Sequence, residues 1–338
     1  MKAAVLKEKN IFETDQIPTP ILEGKGAIIN VIGCGLCGSD VVKMKTGAAK
    51  PGSVLGHEIV GIIKEINTET NFKIGDKVVL GHHVPCFQCE YCRGGSYSMC
   101  KTFKKTNIKP GGFCEYLKIS EAHLKNTVCK VEADMDDITA SFTEPLSCCI
   151  RAVKRGNIQK DDSVLIIGLG SIGILMGQAA KAYGARVIGC DILQDRISIA
   201  KKYGFDETIL YQSNDTTSEL LKKKMKTLSG VDKVILTAGN DSSLDFSLKS
   251  VRDGGTIVVF ASIKSNDKGF ANNDIYYREL SIIASYSPSP DDIKESFDLL
   301  KSGKIKVENL SEIYPLESLN QALSDFTSNK ILKAYITI

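Results

Sequence analysis

The chain of 338 residues contains no apolar run approaching the length needed to span a bilayer, which argues against a transmembrane helix. It also lacks an excess of charge of either sign, with 43 basic residues against 40 acidic ones. No nucleic-acid-binding stripe is therefore expected. The one basic cluster, Lys222-Lys223-Lys224-Met225-Lys226, reads as the solvated face of a helix. The opening segment, Met1-Lys2-Ala3-Ala4-Val5-Leu6-Lys7, has neither a long apolar stretch nor a small-residue cleavage site, so the expectation is a cytoplasmic protein. Internal repeats and low-complexity linkers are missing too. Histidine is scarce: His57, His82, His83 and His123 are the whole supply, so any nitrogen ligand for a metal comes from a short list. The length exceeds what one hydrophobic core usually organises, and two domains are the default.

Cysteine, by contrast, is plentiful, with eleven residues. Four of them, Cys86, Cys89, Cys92 and Cys100, follow one another in CxxC steps with one distant return. Such turns aim thiolates at one point, and Zn²⁺ takes four ligands tetrahedrally. A disulfide pair is the alternative in oxidising surroundings; in a reducing cytoplasm a metal is expected, zinc first and an iron–sulfur cluster as the competitor. Four thiolates leave no position for a substrate, so this ion would be structural and the chemistry must lie elsewhere. Cys34, Cys114, Cys129, Cys148, Cys149 and Cys190 sit mostly in apolar contexts and read as small buried hydrophobes.

The chain changes character near residue 155. Before it, short segments such as 27–32, 59–66, 77–80 and 113–119 are separated by Gly, Pro and Asn, a β-rich pattern with irregular loops. After it, strand-like runs (163–167, 186–190, 233–236, 256–260) alternate with helical ones (172–183, 194–203, 244–250). That alternation predicts an α/β fold built on a parallel sheet. Toward the end, 290–302 and 318–326 read as helices and 334–338 as an apolar strand.

The first βα turn carries Gly168-Leu169-Gly170-Ser171-Ile172-Gly173, a GxGxxG placed between an apolar strand and a helix. Gly168 permits the tight turn, Gly170 lets backbone approach a pyrophosphate, and Gly173 allows close helix–strand packing. The helix start at Ser171 and Ile172 then offers N–H groups and a positive dipole end to phosphates. The next strand ends at Asp191, whose carboxylate suits the ribose hydroxyls and repels a 2′-phosphate, so NAD is expected rather than NADP. Arg196 reads either as a cover for the adenine face or as a surface helix charge. Thr237 to Asn240 follow another strand at the end where such sheets bind ligands, which makes Thr237 a candidate cofactor contact.

A nicotinamide cofactor implies hydride transfer, and an alcohol must lose a proton as its hydride leaves; a Lewis-acidic metal with an open position serves that need. Candidate ligands are His57, within Leu55-Gly56-His57-Glu58, and Cys37, within Gly35-Leu36-Cys37-Gly38-Ser39-Asp40. Each taken alone is equally well a satisfied buried histidine or a small apolar cysteine.

Together these motifs carry a resemblance. Gly-x-Cys-Gly-Ser-Asp at 35–40, Gly-His-Glu at 56–58, the quartet, Gly112-Phe113-Cys114-Glu115-Tyr116, Glu144-Pro145-Leu146 and the GxGxxG resemble, in order and spacing, the zinc-containing medium-chain dehydrogenase/reductase (alcohol dehydrogenase) family over essentially the whole chain. Gly-His-Glu and Glu-Pro-Leu look most like its polyol, sorbitol and threonine dehydrogenase branch. The resemblance implies a Rossmann doubly wound parallel sheet inserted in a β-rich GroES-like catalytic domain: 1–150 catalytic with a zinc lobe at about 82–105, 151–288 for NAD, and 289–338 returning to the catalytic domain. It implies two Zn²⁺ per chain, with Cys37, His57, Glu58 and Glu144 at the catalytic ion, Glu144 either binding it directly or holding its water. Ser39 would receive the substrate proton and Asp40 would orient the ligands. The implied partners are a small alcohol or polyol and further copies of the chain, as a homodimer or homotetramer. Two departures stand out. No histidine follows Ser39 in Asp40-Val41-Val42-Lys43, so a proton must leave by water, a ribose hydroxyl or another group. Ile282 to Pro288 lacks the arginine common in sorbitol dehydrogenases, and Tyr286 there is either a pocket residue or packing. A threonine 3-dehydrogenase is the alternative within the class. A metal-free quinone or enoyl reductase, or a catalytically silent dinucleotide-binding zinc protein, are the alternatives outside it.

Overall fold

In the first part of the chain one long strand organises its neighbours. Gly26–Gly35 is rich in β-branched residues and is buried along most of its length, as suits the centre of a sheet. It pairs antiparallel with Glu58–Ile66, with Tyr116–Ser120 and with the terminal strand Ala334–Thr337. In these registers Gly35 stands opposite Glu58 on one side and Tyr335 on the other. The computed structural model describes residues 1–211, 216–225, 229–239, 241–262 and 269–338; Lys226 and Asn240 lie outside them.

By its contacts the chain divides into two compact units, Met1–Ser147 with Pro288–Gly303 and Val307–Ile338, and Cys148–Ser287 with Lys304–Lys306. The tail expected to return whole to the first unit thus gives three residues to the second, where the Gln178 side chain bonds both the N–H and the carbonyl of Lys306 at 2.9 Å. The first unit holds a seven-stranded sheet and a two-stranded ribbon, Lys2–Leu6 with Phe12–Gln16, over a core that includes Leu6, Ile29, Phe113 and Ile336. The ribbon was not anticipated: Ala3 to Leu6 are buried in succession and give no alternation to read. The strand expected over 113–119 is shorter, Tyr116–Ser120. Gly111 and Gly112 press against the 54–59 backbone, where a Cβ on Gly111 would lie 2.2 Å from the Val54 carbonyl oxygen, and Phe113 donates to Leu55 O.

The second unit is a six-stranded parallel sheet in the order Glu207–Leu210, Arg186–Asp191, Ser163–Ile167, Val231–Leu236, Val251–Val259, Ser281–Ala284. Numbered along this unit the order is 3-2-1-4-5-6, that of a Rossmann sheet, with its switch point beside Ser163–Ile167. The helix Ser171–Ala182 springs from that strand and is buried along most of its length. Lys222 to Met225 close the helix Thr216–Met225, where Lys224 pairs with Glu207 at 2.8 Å and Lys223 is exposed.

Candidate metal centres and dinucleotide site

The quartet is assembled from a short helix, Glu90–Arg93, a single 3₁₀ turn and the start of helix Lys101–Lys105. Sγ–Sγ separations are 3.5 Å for Cys89–Cys92 and Cys86–Cys100 and 3.9 Å for Cys86–Cys92. A disulfide bridges about 2.05 Å, so none is present here; a tetrahedron with arms of about 2.3 Å has edges of about 3.8 Å, which these separations match. The donor set fits a closed zinc site. Phe103 packs on Cys92 and Cys100.

A second donor set lies in the same unit. Cys37 ends the turn after Gly26–Gly35 and is the N-cap of helix Gly38–Lys45: its sulfur accepts from Ser39 N at 3.5 Å, and Asp40 Oδ2 returns to Cys37 N at 3.2 Å. Thiol caps are outside the usual list of cap residues, so this helix gave little warning in the sequence. His57 follows Gly56, whose φ of +90° favours glycine and where a Cβ would sit 2.9 Å from Cys34 Sγ. Glu58 begins the adjoining strand. It fits because Gly35 opposite has no side chain: a Cβ there would fall 2.0 Å from Glu58 Oε2. The donor atoms of Cys37, His57 and Glu58 all lie within 4.8 Å of one another. His57 and Glu58 are buried, and Glu58 Oε1 has no hydrogen-bond partner. Buried polar atoms of that kind are costly unless something binds them, and a sulfur–nitrogen–oxygen trio suits zinc.

The surroundings are charged and buried. Asp40 Oδ1 stands 3.3 Å from His57 Nδ1, and Ser39 Oγ is 3.4 Å from His57 Nε2. Burial opposes a charge on His57, and the Asp40 carboxylate outweighs it, so its pKa is raised well above the ordinary value. Sequence reasoning missed Lys333. This buried lysine sits just before the terminal strand, and pairing of that strand with Gly33–Gly35 delivers its Nζ to 2.5 Å from Glu58 Oε2 and 3.1 Å from Leu36 O. Burial works against its ammonium, and Glu58 more than compensates, raising the pKa. Glu144 is in the first turn of helix Thr143–Arg155 and is buried, but it is not among the three converging residues. Its Oε1 is 3.6 Å from Nδ1 of His82. Burial, opposed by the charge of His57, raises the Glu144 pKa. For His82, burial followed by the charges of His57 and His83 lowers it well below the usual value.

In the Rossmann unit, Gly168 has φ +94°, Gly170 faces open space, and a Cβ on Gly173 would lie 1.9 Å from Gly168 O. Helix Ser171–Ala182 has no side-chain cap at Gly170, which leaves its N-terminal end for an anion. Asp191 is pinned at its strand end, accepting from Leu169 N at 2.6 Å and Leu193 N at 2.9 Å. Thr237 Oγ1 donates to Gly168 O at 2.7 Å and lies 3.0 Å from Ile167 O, bracing the glycine turn. Arg196 is buried on helix Gln194–Lys202, so it is not a surface charge; burial lowers its pKa against the pull of Asp191 and Asp195. Tyr286 is exposed.

Comparison with known proteins agrees with this architecture. Residues 23–130 match the alcohol dehydrogenase GroES-like domain, and residues 171–302 match the zinc-binding dehydrogenase family. A sorbitol dehydrogenase of Bacillus subtilis is 30% identical over 96% of this chain and 92% of its own length. D-xylulose reductase A of Aspergillus oryzae is 29% identical with the same coverage. The structure of an acetophenone reductase from Geotrichum candidum in complex with NAD superposes with a TM-score of 0.86 at 25% identity, covering 100% of this chain and 97% of that one. The chain belongs to the zinc-binding, medium-chain alcohol dehydrogenase family, in its polyol dehydrogenase branch.

Proposed function

We propose that the chain interconverts the secondary alcohol of a polyol, sugar alcohol or close analogue with the corresponding ketone, using NAD, and that Cys37, His57 and Glu58 hold the catalytic zinc. The observation that carries this reading is the convergence of a thiol, an imidazole and a carboxylate within 4.8 Å of one another, with Glu58 Oε1 buried and unpaired. When bound, zinc supplies Lewis acidity at the alcohol oxygen and NAD⁺ accepts the hydride. The alcohol's C–H electron pair leaves as that hydride, its O–H proton goes to solvent, and a C=O bond forms. Ser39, beside His57, is the residue that first takes the proton. Asp40 holds His57 in orientation, and Lys333 balances the charge of Glu58. Glu144, buried within reach of the charges of His57 and Glu58, is the residue we assign to holding a water at this site.

Gly168, Gly170, Ser171, Ile172 and Gly173 would hold the pyrophosphate, and Asp191 the adenosine ribose; its fixed negative charge favours NAD over NADP. We also place the protein in the cytoplasm, because none of the eleven cysteines is paired in a disulfide and five of them suit metal ligation as thiolates, the state that a reducing compartment maintains. Among the described residues no helix is long and apolar enough to cross a membrane. A homodimer or homotetramer is supported by the strand Ser281–Ala284 at the end of the parallel sheet and by the exposed Tyr276 and Tyr277 that precede it.

Metal analysis should find two zinc ions per wild-type chain and one in Cys37→Ser, with activity lost in the variant. Full metal and activity in Cys37→Ser would refute the ligand assignment. NADH absorbance across alditols, sugar phosphates, cyclitols and threonine identifies the substrate, and a preference for threonine would move the chain to the threonine dehydrogenase reading. A higher kcat/KM with NADP⁺ than with NAD⁺ would overturn the argument from Asp191.

A further inference from the structure

All four histidines of the chain are linked. The ring of His57 lies 4.7 Å from that of His82, and His82 lies 4.2 Å from His83, which in turn is 4.9 Å from Phe103 of the quartet lobe. The backbone of His82 is fixed as well: its carbonyl is 3.2 Å from His123 Nε2, and the preceding Gly81 exchanges bonds with Thr127 at 3.0 and 3.1 Å. His82 is therefore a clamped, buried ring with its Nδ1 turned to Glu144 Oε1. At 3.6 Å the pair is a polar contact, longer than a hydrogen bond. Glu144, for its part, is outside the converging trio that His57 belongs to.

We propose that His82 is a positioning residue that holds Glu144 back from the metal, keeping a coordination position open for the substrate oxygen. The inference rests on the ligand assignment made above. Its logic is competition for one carboxylate: Glu144 stands 3.6 Å from His82 Nδ1 and within electrostatic reach of His57 and Glu58. A closed four-ligand set does not admit substrate, whereas an open one does. Groups one step removed from a metal commonly act in this way, by fixing the place of a ligand.

Two variants separate positioning from packing. His82→Asn keeps a donor near the place of Nδ1 without the ring, and His82→Phe keeps the ring stack without the donor. Both are made in the full-length chain, with zinc in the quartet and Co²⁺ in the other site, and retention of quartet zinc checks the fold. His82→Asn is expected to keep the wild-type visible Co²⁺ bands. In His82→Phe the bands should change toward a closed coordination, Co²⁺ should be held more tightly, KM for the alcohol should rise, and kcat/KM should fall about 10–100-fold. Adding Glu144→Gln should abolish the effect of His82→Phe on the bands and on Co²⁺ affinity, because the two residues act as a unit. Wild-type bands and KM in His82→Phe, equal damage in His82→Asn, or additive effects with Glu144→Gln would each overturn the proposal. Should His82→Phe lose its quartet zinc, His82→Gln, with its donor at the place of Nε2, replaces it; wild-type behaviour there also overturns it. A wild-type chain that binds no metal beyond the quartet ion defeats both this inference and the reading beneath it, while normal metal uptake with additive effects defeats this one alone.

Discussion

Glu58 shows how one side chain is shared between two demands. Its carboxylate is fully buried, lies within reach of Cys37 and His57, and meets the ammonium of Lys333 at 2.5 Å. Removing one partner of a buried ion pair leaves an uncompensated charge, at a cost of about 3–5 kcal/mol. Lys333→Met should therefore destabilise the chelated chain by about that much, and the zinc-loaded chain by clearly less, because the metal then neutralises Glu58. Denaturant unfolding with and without chelator measures both, and equal losses would show that Glu58 does not serve the metal. The motif residues of this cluster were legible because each stands in a glycine-flanked pattern. Lys333 was not, since Ile331-Leu332-Lys333-Ala334 has no local mark of a buried charge, and only pairing of the terminal strand with Gly33–Gly35 brings it to Glu58. His82 and Glu144 were each visible in the sequence, but their contact was not.

Among the strands and helices, those with a strong period were read correctly in kind and to within a few residues, as with Ser163–Ile167, Arg186–Asp191 and Pro290–Lys301. The helices Gly38–Lys45 and Thr143–Arg155, which bear Ser39 and Glu144, escaped notice. The first is short and begins at a glycine behind a thiol cap; the second contains an early proline, which is tolerated in the first turn but reads as a break. How the strands of the parallel sheet are tied at their starts can be tested by pH. Asp232 accepts from Ser163 N at 2.8 Å and Oγ at 2.5 Å and pairs with Arg252 at 2.7 Å. Burial disfavours its charge, and the Ser163 bonds and the Arg252 guanidinium overcome that, so its folded pKa is lowered from 3.8. A carboxyl with a depressed folded pKa contributes stability above its unfolded pKa and loses it as pH falls through the folded one. Asp232→Asn should thus be less stable than wild type at neutral pH, with the gap narrowing only below about pH 4. A gap that stays constant down to about pH 2 in thermal melts would contradict this role.

The two metal sites differ in a way that removal of zinc should reveal. The quartet is closed by four thiolates packed on Phe103, whereas the Cys37 site offers three converging donors. A mild chelator should strip the second site first, abolishing activity with the near-UV dichroism intact. Stronger chelation should then release the quartet ion together with loss of structure around 86–105, since metal binding there is coupled to local folding. Zinc release followed with a chromogenic chelator alongside activity tests the order, and simultaneous loss of both ions would refute it. What the amino-acid order determined is local: the quartet, the glycine turn, the acid at its strand end and the Cys-Gly-Ser-Asp and Gly-His-Glu motifs carry their chemistry within a few consecutive residues, because turn geometry and ligand spacing are short-range properties. What only the tertiary structure decided is which distant groups share a buried space. Register between strands placed Gly35, Glu58 and Lys333 together, ring packing joined the histidines, and a helix turn set Glu144 against His82. Such meetings depend on long-range pairing and on the exclusion of water, and neither leaves a periodic trace in the sequence.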